Sequence, residues 1–150
     1  MISTSVTTSG MPAAILRLNT HRKLMSYTNM LAASTAGAEK AKELIVAEMA
    51  LPKSGRRWWN LQNRSSAKGE MPAIQSGELV VKMNVRPAAG RGKAELVAEG
   101  KHALWMEFGF TTRDGGFHIR PFMRPGIAKY INEIRIAIYS RMRALKAGLP

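Results

Sequence analysis

A long helical pattern near the start of the chain sets the strongest limit on its fold. Pro12 occupies the preferred first turn of a helix, and Pro52 ends the pattern. An unbroken helix over residues 12–50 would span roughly 58 Å at about 1.5 Å per residue, whereas a compact domain of this length measures about 38 Å. We therefore predict that the helix protrudes or breaks, with the break at residues 34–37, Ser-Thr-Ala-Gly. The predicted apolar stripe, whose small middle section allows close approach by another helix, comprises Leu24, Tyr27, Leu31, Ser34, Ala38, Ala41 and Ile45.

Length and composition favour one globular domain. The chain has 150 residues, 45% of them hydrophobic, and no cysteine. A chain of this length buries about 68–70% of its unfolded surface without disulfides, and the lack of cysteine excludes disulfide frameworks, cysteine–zinc sites, iron–sulfur clusters and thiol nucleophiles. The polar start of the chain resembles no secretion signal, and no apolar run reaches about 18 residues. We expect a soluble, intracellular domain over residues 12–150, preceded by a flexible arm over residues 1–11.

The positive charge is concentrated in two stretches. The chain carries 23 Lys and Arg against 10 Asp and Glu, a formal charge of +13. Residues 51–70 carry a net charge of +4 and residues 121–150 a net charge of +5. Such patches attract phosphate groups or acidic protein surfaces without being specific to either.

The middle of the chain combines a long loop with short strands. Residues 51–78 are rich in Gly, Pro and Ser and have no helical or strand period, which is typical of a functional loop. Alternating apolar residues predict a half-buried strand over residues 79–85. A turn over residues 86–92 leads to a second strand over residues 94–99.

The last third predicts a hairpin and a helix. Residues 103–108 are apolar but too short for periodicity to separate helix from strand. Asp-Gly-Gly at the tip of residues 111–116 predicts a hairpin that returns through residues 117–120. Pro125 opens the last helix and Gly148 follows it, so the fold class is α+β with an antiparallel sheet of three to four strands. The stripe of this helix comprises Ile127, Ile131, Ile134, Ile138, Met142 and Leu145.

The residues that could carry catalysis give no convincing constellation. His102, Glu107, Arg113 and His118 could together cleave RNA by acid–base chemistry. The simpler interpretation is structural, with His102 ending a strand, Glu107 pairing with an arginine and His118 on a hairpin. Three scattered histidines give no metal site, so we expect no enzyme, no cofactor and no metal. The titratable residues that could take part in catalysis are His21, His102, His118, Glu107 and Asp114.

The loop carries an aromatic and basic cluster of Arg56, Arg57, Trp58, Trp59 and Arg64. Indole rings beside arginines can stack on nucleic-acid bases. Loop Trp and Arg are also the residues most enriched at protein–protein hot spots. We favour the protein interface, because no repeated stacking platform accompanies the two tryptophans.

Several segments in the middle of the chain, in this order, resemble a known family. They are PKSGR at 52–56, SSAKGEMPA at 65–73, QSGEL at 75–79, ALWMEFG at 103–109 and RPFMRP at 120–125. Together they resemble the tail-completion, or tail-to-head joining, neck proteins of long-tailed bacteriophages, in which the pattern reads roughly SAPGEPPA, TGxL, YxxxxEFGT and RPFxRPA. Here Lys68 and Met71 replace two prolines, Ser76 and Phe110 each replace a threonine, and Gly126 replaces an alanine. The resemblance covers about residues 50–130.

The resemblance implies a structural virion protein. Members of this family form a ring, typically a hexamer, between the head-side stopper or connector and the tail-terminator or tail-tube protein. DNA passes through the lumen of the ring without sequence-specific recognition. The expected location is the neck of a virion assembled in the bacterial cytoplasm, with no membrane contact. The open alternative is a small basic nucleic-acid-binding protein.

We expect the interface residues to lie in the loop and in the matching motifs, and the residues facing DNA to lie in the last helix. The expected protein-interface residues are Arg56, Arg57, Trp58, Trp59, Arg64, Glu70, Glu107, Phe108, Arg120, Phe122 and Arg124. The expected DNA-channel residues are Lys129, Arg135, Arg141, Arg143 and Lys146.

Overall fold

A computed structural model describes residues 11–57, 59, 63–90 and 92–149. The predicted arm therefore lies almost wholly outside the described residues, as does Trp58. The described chain is α+β, as the sequence predicts. Its elements are α1 Met11–Leu24, α2 Tyr27–Ala50, α3 Glu78–Val81, β1 Met83–Pro87, β2 Ala94–Ala98, α4 Lys101–Phe108, β3 Phe110–Thr111, β4 Phe117–His118, α5 Met123–Lys129 and α6 Ile131–Ala147.

The long N-terminal helix breaks, but not where the sequence predicts. The break lies at Met25 and Ser26, between α1 and α2, and residues 34–37 continue within α2. The prediction was wrong because Ser34 satisfies its hydroxyl by donating to the Leu31 and Gly92 carbonyls, each at 3.0 Å, and so leaves the helical hydrogen bonds intact.

Gly37 remains helical because α6 packs directly on it. A Cβ added at Gly37 would lie 2.6 Å from Cγ1 of Ile138, so only glycine allows this approach. The close approach that the small stripe predicts is therefore present, with its centre moved from Ser34 and Ala38 to Ala33 and Gly37. The buried line of α2 comprises Ala33, Gly37, Ala41, Ile45 and Met49.

The first sheet begins later than predicted. β1 pairs antiparallel with β2, with Met83 opposite Ala98, whereas the sequence predicts a strand from residue 79. Residues 78–81 form a helical turn instead, because Gly77 enters it with a positive φ of 75° and Lys82 pairs with Glu78 one turn away at 2.5 Å. Val81, which belongs to the predicted half-buried strand, is consequently 77% exposed.

The predicted hairpin is present as a separate small sheet. β3 and β4 pair antiparallel with Phe110 opposite His118, across the predicted Asp-Gly-Gly turn. Within the described residues, the four strands form two two-stranded sheets rather than one sheet of three or four. Residues 103–108, which periodicity could not assign to helix or strand, belong to the helix α4. His102 therefore lies at the start of a helix and does not end a strand.

The predicted C-terminal helix is divided at Tyr130 into α5 and α6. Pro125 lies in the first turn of α5, and Gly148 follows the end of α6, as predicted. The phenol of Tyr130 donates to Glu48 at 2.5 Å and so ties this division to α2. The core is formed by Ile45, Met49, Met83, Ala103 and Phe122.

Candidate functional site

The carboxylate of Glu107 joins two of the motif segments. Its Oε2 accepts hydrogen bonds from the backbone N–H groups of Phe122 at 2.9 Å and Met123 at 3.0 Å, and its Oε1 accepts one from Arg124 at 3.2 Å. These N–H groups open α5 and have no partner within that helix. Glu107 therefore fixes the ALWMEFG segment to the RPFMRP segment.

This role changes the interpretation of two residues expected at an interface. The side chain of Glu107 is only 8% exposed, and Phe122 is fully buried in the core. Phe122 is therefore a core residue and not an interface residue of this chain, because α5 packs it beneath α4 and β1. Arg120 is half-buried and its N–H donates to the Met106 carbonyl at 3.0 Å.

A second carboxylate, Glu70, organises the long loop. It accepts hydrogen bonds from the Ser54 hydroxyl at 2.7 Å and from the Ala67 N–H at 2.8 Å. The Ser54 hydroxyl bond, followed by the Ala67 bond, lowers the pKa of Glu70 below its ordinary value. Glu70 thus connects the PKSGR segment to the SSAKGEMPA segment from inside the loop.

The rest of the described loop is also folded on itself. The Ser65 hydroxyl and N–H both donate to the Arg56 carbonyl, at 2.9 and 3.1 Å. The side-chain amide of Gln75 donates to the Asn63 carbonyl at 3.1 Å. The described part of the loop before Glu78 lacks regular secondary structure, as predicted, but its backbone is held by specific hydrogen bonds.

The basic residues of the loop remain on the surface. Arg56, Arg57 and Arg64 are exposed, and Trp59 is 95% exposed. Arg57 and Arg64 share the wall of an open cleft of about 340 Å³ with Lys53. The structure therefore brings two of the expected interface residues, Arg57 and Arg64, together at this cleft.

An exposed apolar patch lies beside the Glu107 junction. We define the α4 patch as Leu104, Trp105, Phe108 and Phe117, of which Leu104 is 60% and Phe117 65% exposed. The ring of Phe117 lies against Gly109, whose positive φ of 92° and missing Cβ leave room for it.

Only one member of this patch was expected at an interface. Arg124 lies over the ring of Phe108, 5.1 Å from its centroid, and both were predicted as interface residues. Leu104, Trp105 and Phe117 were missed. The sequence did contain a signal for these residues. The segment ALWMEF has more apolar residues than a short helix can bury on one side, and only Ala103 and Met106 face the core.

The five expected DNA-channel residues do not share one face. Lys129 donates to Glu48 at 2.8 Å, a bond that raises the pKa of Lys129. Arg141 lies beside Glu39 in an open groove on α2. The remaining three, Arg135, Arg143 and Lys146, are exposed on α6.

The candidate acid–base residues have separate surroundings. His102 lies 3.9 Å from Glu78 and edge-on to Trp105, whereas His118 stacks on Phe110. The carboxylate of Glu107 accepts hydrogen bonds from backbone N–H groups at the start of α5. Among the described residues, no group of three or more His, Asp and Glu side chains could hold a metal ion.

No family model, curated protein or solved structure matches the chain. Of the helices in the described ranges, none is both long enough and apolar enough to cross a membrane. Function is therefore inferred from the motif segments, from the α4 patch and from the distribution of charge.

Proposed function

We propose that this chain is a structural subunit of a ring at the neck of a long-tailed bacteriophage. The ring completes the tail and joins it to the head-side connector, and DNA passes through its lumen. Its neighbours are further copies of itself, a head-side stopper or connector, and a tail-terminator or tail-tube protein. The observation that carries the assembly role is the α4 patch.

The exposed surface supports an assembling subunit. Large apolar side chains gathered at one place on a surface mark a contact with another molecule. A stable interface buries about 800 Å² on each partner, and the proposed ring contact requires the α4 patch to lie at the centre of such an area.

The motif segments support the same proposal through their structural roles. Glu107 and Glu70 each join two motif segments by hydrogen bonds to backbone N–H groups. Motifs that fix a fold in this way suit a family whose members have a common architecture and no catalytic site.

Native mass spectrometry of the purified chain tests the proposal. We expect a closed oligomer for the unchanged protein and monomers for a Leu104→Ser/Phe108→Ser variant, because both substitutions remove exposed apolar area. Val81→Ser removes an equally exposed apolar side chain from α3 and serves as the control. A Leu104→Ser/Phe108→Ser variant that assembles like the control would contradict the role of the α4 patch.

One observation favours the alternative, a nucleic-acid-binding protein. Trp59 is 95% exposed, which is suitable for stacking on a base, and it lies two residues after Arg57 of the basic cleft. This alternative predicts DNA binding that weakens steeply with salt and is lost in Trp59→Ala. If Trp59→Ala binds a single-stranded oligonucleotide as well as the unchanged chain does, the stacking role is excluded.

A further inference from the structure

The helix α6 has two apolar faces, and the residues that the structure describes cover only one of them. Its inner face contacts α2 through Ile134 and Ile138 at Gly37. On its outer face Ile136 is 63% and Tyr139 is 64% exposed. A helix with one buried stripe normally presents polar residues on the opposite side, so this outer apolar pair is an exception to explain.

The outer apolar pair is bordered by unpaired positive charge. Arg135, Arg143 and Lys146 are exposed on the same side of α6 as Ile136 and Tyr139, and a single carboxylate, Glu133, is exposed one turn before Ile136. Within the described ranges, none of these three bases has a hydrogen-bonding or ionic partner. We define the α6 outer face as Ile136, Tyr139, Arg135, Arg143 and Lys146.

A second copy of the chain cannot supply the missing negative charge. Of the ten Asp and Glu residues, eight already have partners within the chain, which leaves Glu39 and Glu133. Two free carboxylates in each copy cannot neutralise a chain of net charge +13. The engaged carboxylates are Glu43, Glu48, Glu70, Glu78, Glu95, Glu99, Glu107 and Asp114.

Duplex DNA fits this face less well than a protein does. Backbone phosphates would pair with Arg135 and Arg143 but would leave Ile136 against a charged and hydrated surface. Burial of apolar area stabilises a contact, and here only an apolar partner surface provides this stabilisation. The face matches a surface with an apolar strip and carboxylates along its edges.

We propose that the α6 outer face is the docking site for an acidic protein partner, whose apolar residues cover Ile136 and Tyr139 while its carboxylates pair with Arg135, Arg143 and Lys146. This assignment is independent of ring formation. It moves these three bases from the DNA channel to a contact with a different protein.

A synthetic helical peptide tests the proposal on the full chain. The probe has Leu along one face and Glu on both flanks, and its control has Ser in place of Leu. We expect the Leu–Glu peptide to bind at physiological salt. Both Ile136→Ser/Tyr139→Ser and Arg135→Gln/Arg143→Gln should weaken this binding at least about tenfold. The Ser control peptide should bind at least about tenfold more weakly than the Leu–Glu peptide.

Three results would overturn the proposal. The first is that Ile136→Ser/Tyr139→Ser leaves affinity for the Leu–Glu peptide unchanged. The second is that it weakens binding of a DNA duplex as strongly as binding of the peptide. The third is that it dissociates copies of the chain from one another. Val81→Ser is the matched control, and circular dichroism confirms that each variant is folded.

The oligomeric state of the same samples separates this proposal from the proposed ring. A chain that stays monomeric but binds the Leu–Glu peptide through Ile136 and Tyr139 supports the docking site and contradicts the ring. A ring in which the two α6 variants bind the peptide like the unchanged chain supports the ring and contradicts the docking site.

Discussion

The carboxylate of Glu107 accepts a hydrogen bond from the backbone N–H of Phe122 at 2.9 Å, and Phe122 is fully buried in the core. One oxygen atom thus connects the end of α4 to the residue that anchors α5. The two residues belong to separate motif segments, and their contact explains why those segments occur together.

Removing this carboxylate is expected to destabilise the fold. Glu107→Ala leaves three backbone N–H groups at the start of α5 without their acceptor, at a cost of about 2–4 kcal/mol. Glu107→Gln keeps one carbonyl oxygen and should cost about 1 kcal/mol. Urea unfolding at neutral pH measures both, with the exposed Glu133→Gln as the control. Equal stability of Glu107→Ala and the control would contradict the structural role.

The contact between α2 and α6 predicts an unusual sign for a helix substitution. Replacing a helical glycine by alanine normally stabilises by about 1 kcal/mol. Gly37→Ala should instead destabilise by about 1–3 kcal/mol, because the new Cβ would meet Ile138. Thermal unfolding of Gly37→Ala, with and without Ile138→Ala, tests this contact. A stabilised single variant, or a double variant without recovery, would show that α6 packs elsewhere.

The Glu48–Lys129–Tyr130 link predicts a pH dependence. The hydrogen bond from Lys129, followed by that from Tyr130, lowers the pKa of Glu48 from its ordinary value of 4.5. A lowered carboxyl pKa stabilises the fold above pH 4.5, and this stabilisation is lost as the pH falls through the pKa of the folded state. Glu48→Gln should therefore flatten the dependence of unfolding free energy on pH as the pH falls below about 4.5.

The same link has an alkaline limit. The bonds to Glu48 raise the pKa values of Lys129 and Tyr130 from 10.5 and 10.0. Their stabilisation is complete below about pH 10 and is lost as the pH rises through the raised values. A Glu48→Gln variant with the same alkaline unfolding profile as the unchanged chain would exclude this link.

Trp59 is expected to affect assembly and not folding. Because its side chain is 95% exposed, Trp59→Ala should change the free energy of unfolding by less than about 0.5 kcal/mol. It should nevertheless weaken association with a protein partner. Comparable losses in the thermal stability of the isolated subunit would show instead that Trp59 packs within the fold.

The sequence predicted correctly those parts of the fold that neighbouring residues determine, such as turns and helix ends. The Asp-Gly-Gly turn produced the hairpin, and Pro125 and Gly148 lie near the start of α5 and the end of α6, as predicted. The predicted position of the helix break was wrong because Gly37 packs against Ile138 of α6, and no local pattern reveals this tertiary contact. The prediction that the strand starts at residue 79 was wrong because Gly77 leads into a helical turn at Glu78–Val81.

The candidate site was predictable only in part for a related reason. Arg57, Trp59 and Arg124 lie on the surface, as their residue types suggest. Phe122 was misplaced because a motif does not distinguish a residue that fixes the core from one that contacts a partner. Phe117 was missed because its exposure depends on a contact with Gly109 that is formed only in the folded chain.

The most direct measurement of the central claim is electron microscopy of the purified chain, alone and mixed with the stopper and tail-terminator proteins of the same phage. The ring account predicts closed particles with axial symmetry and a central channel wide enough for duplex DNA, and predicts that the Leu104→Ser/Phe108→Ser variant forms none. Particles that remain monomeric in every mixture would contradict it.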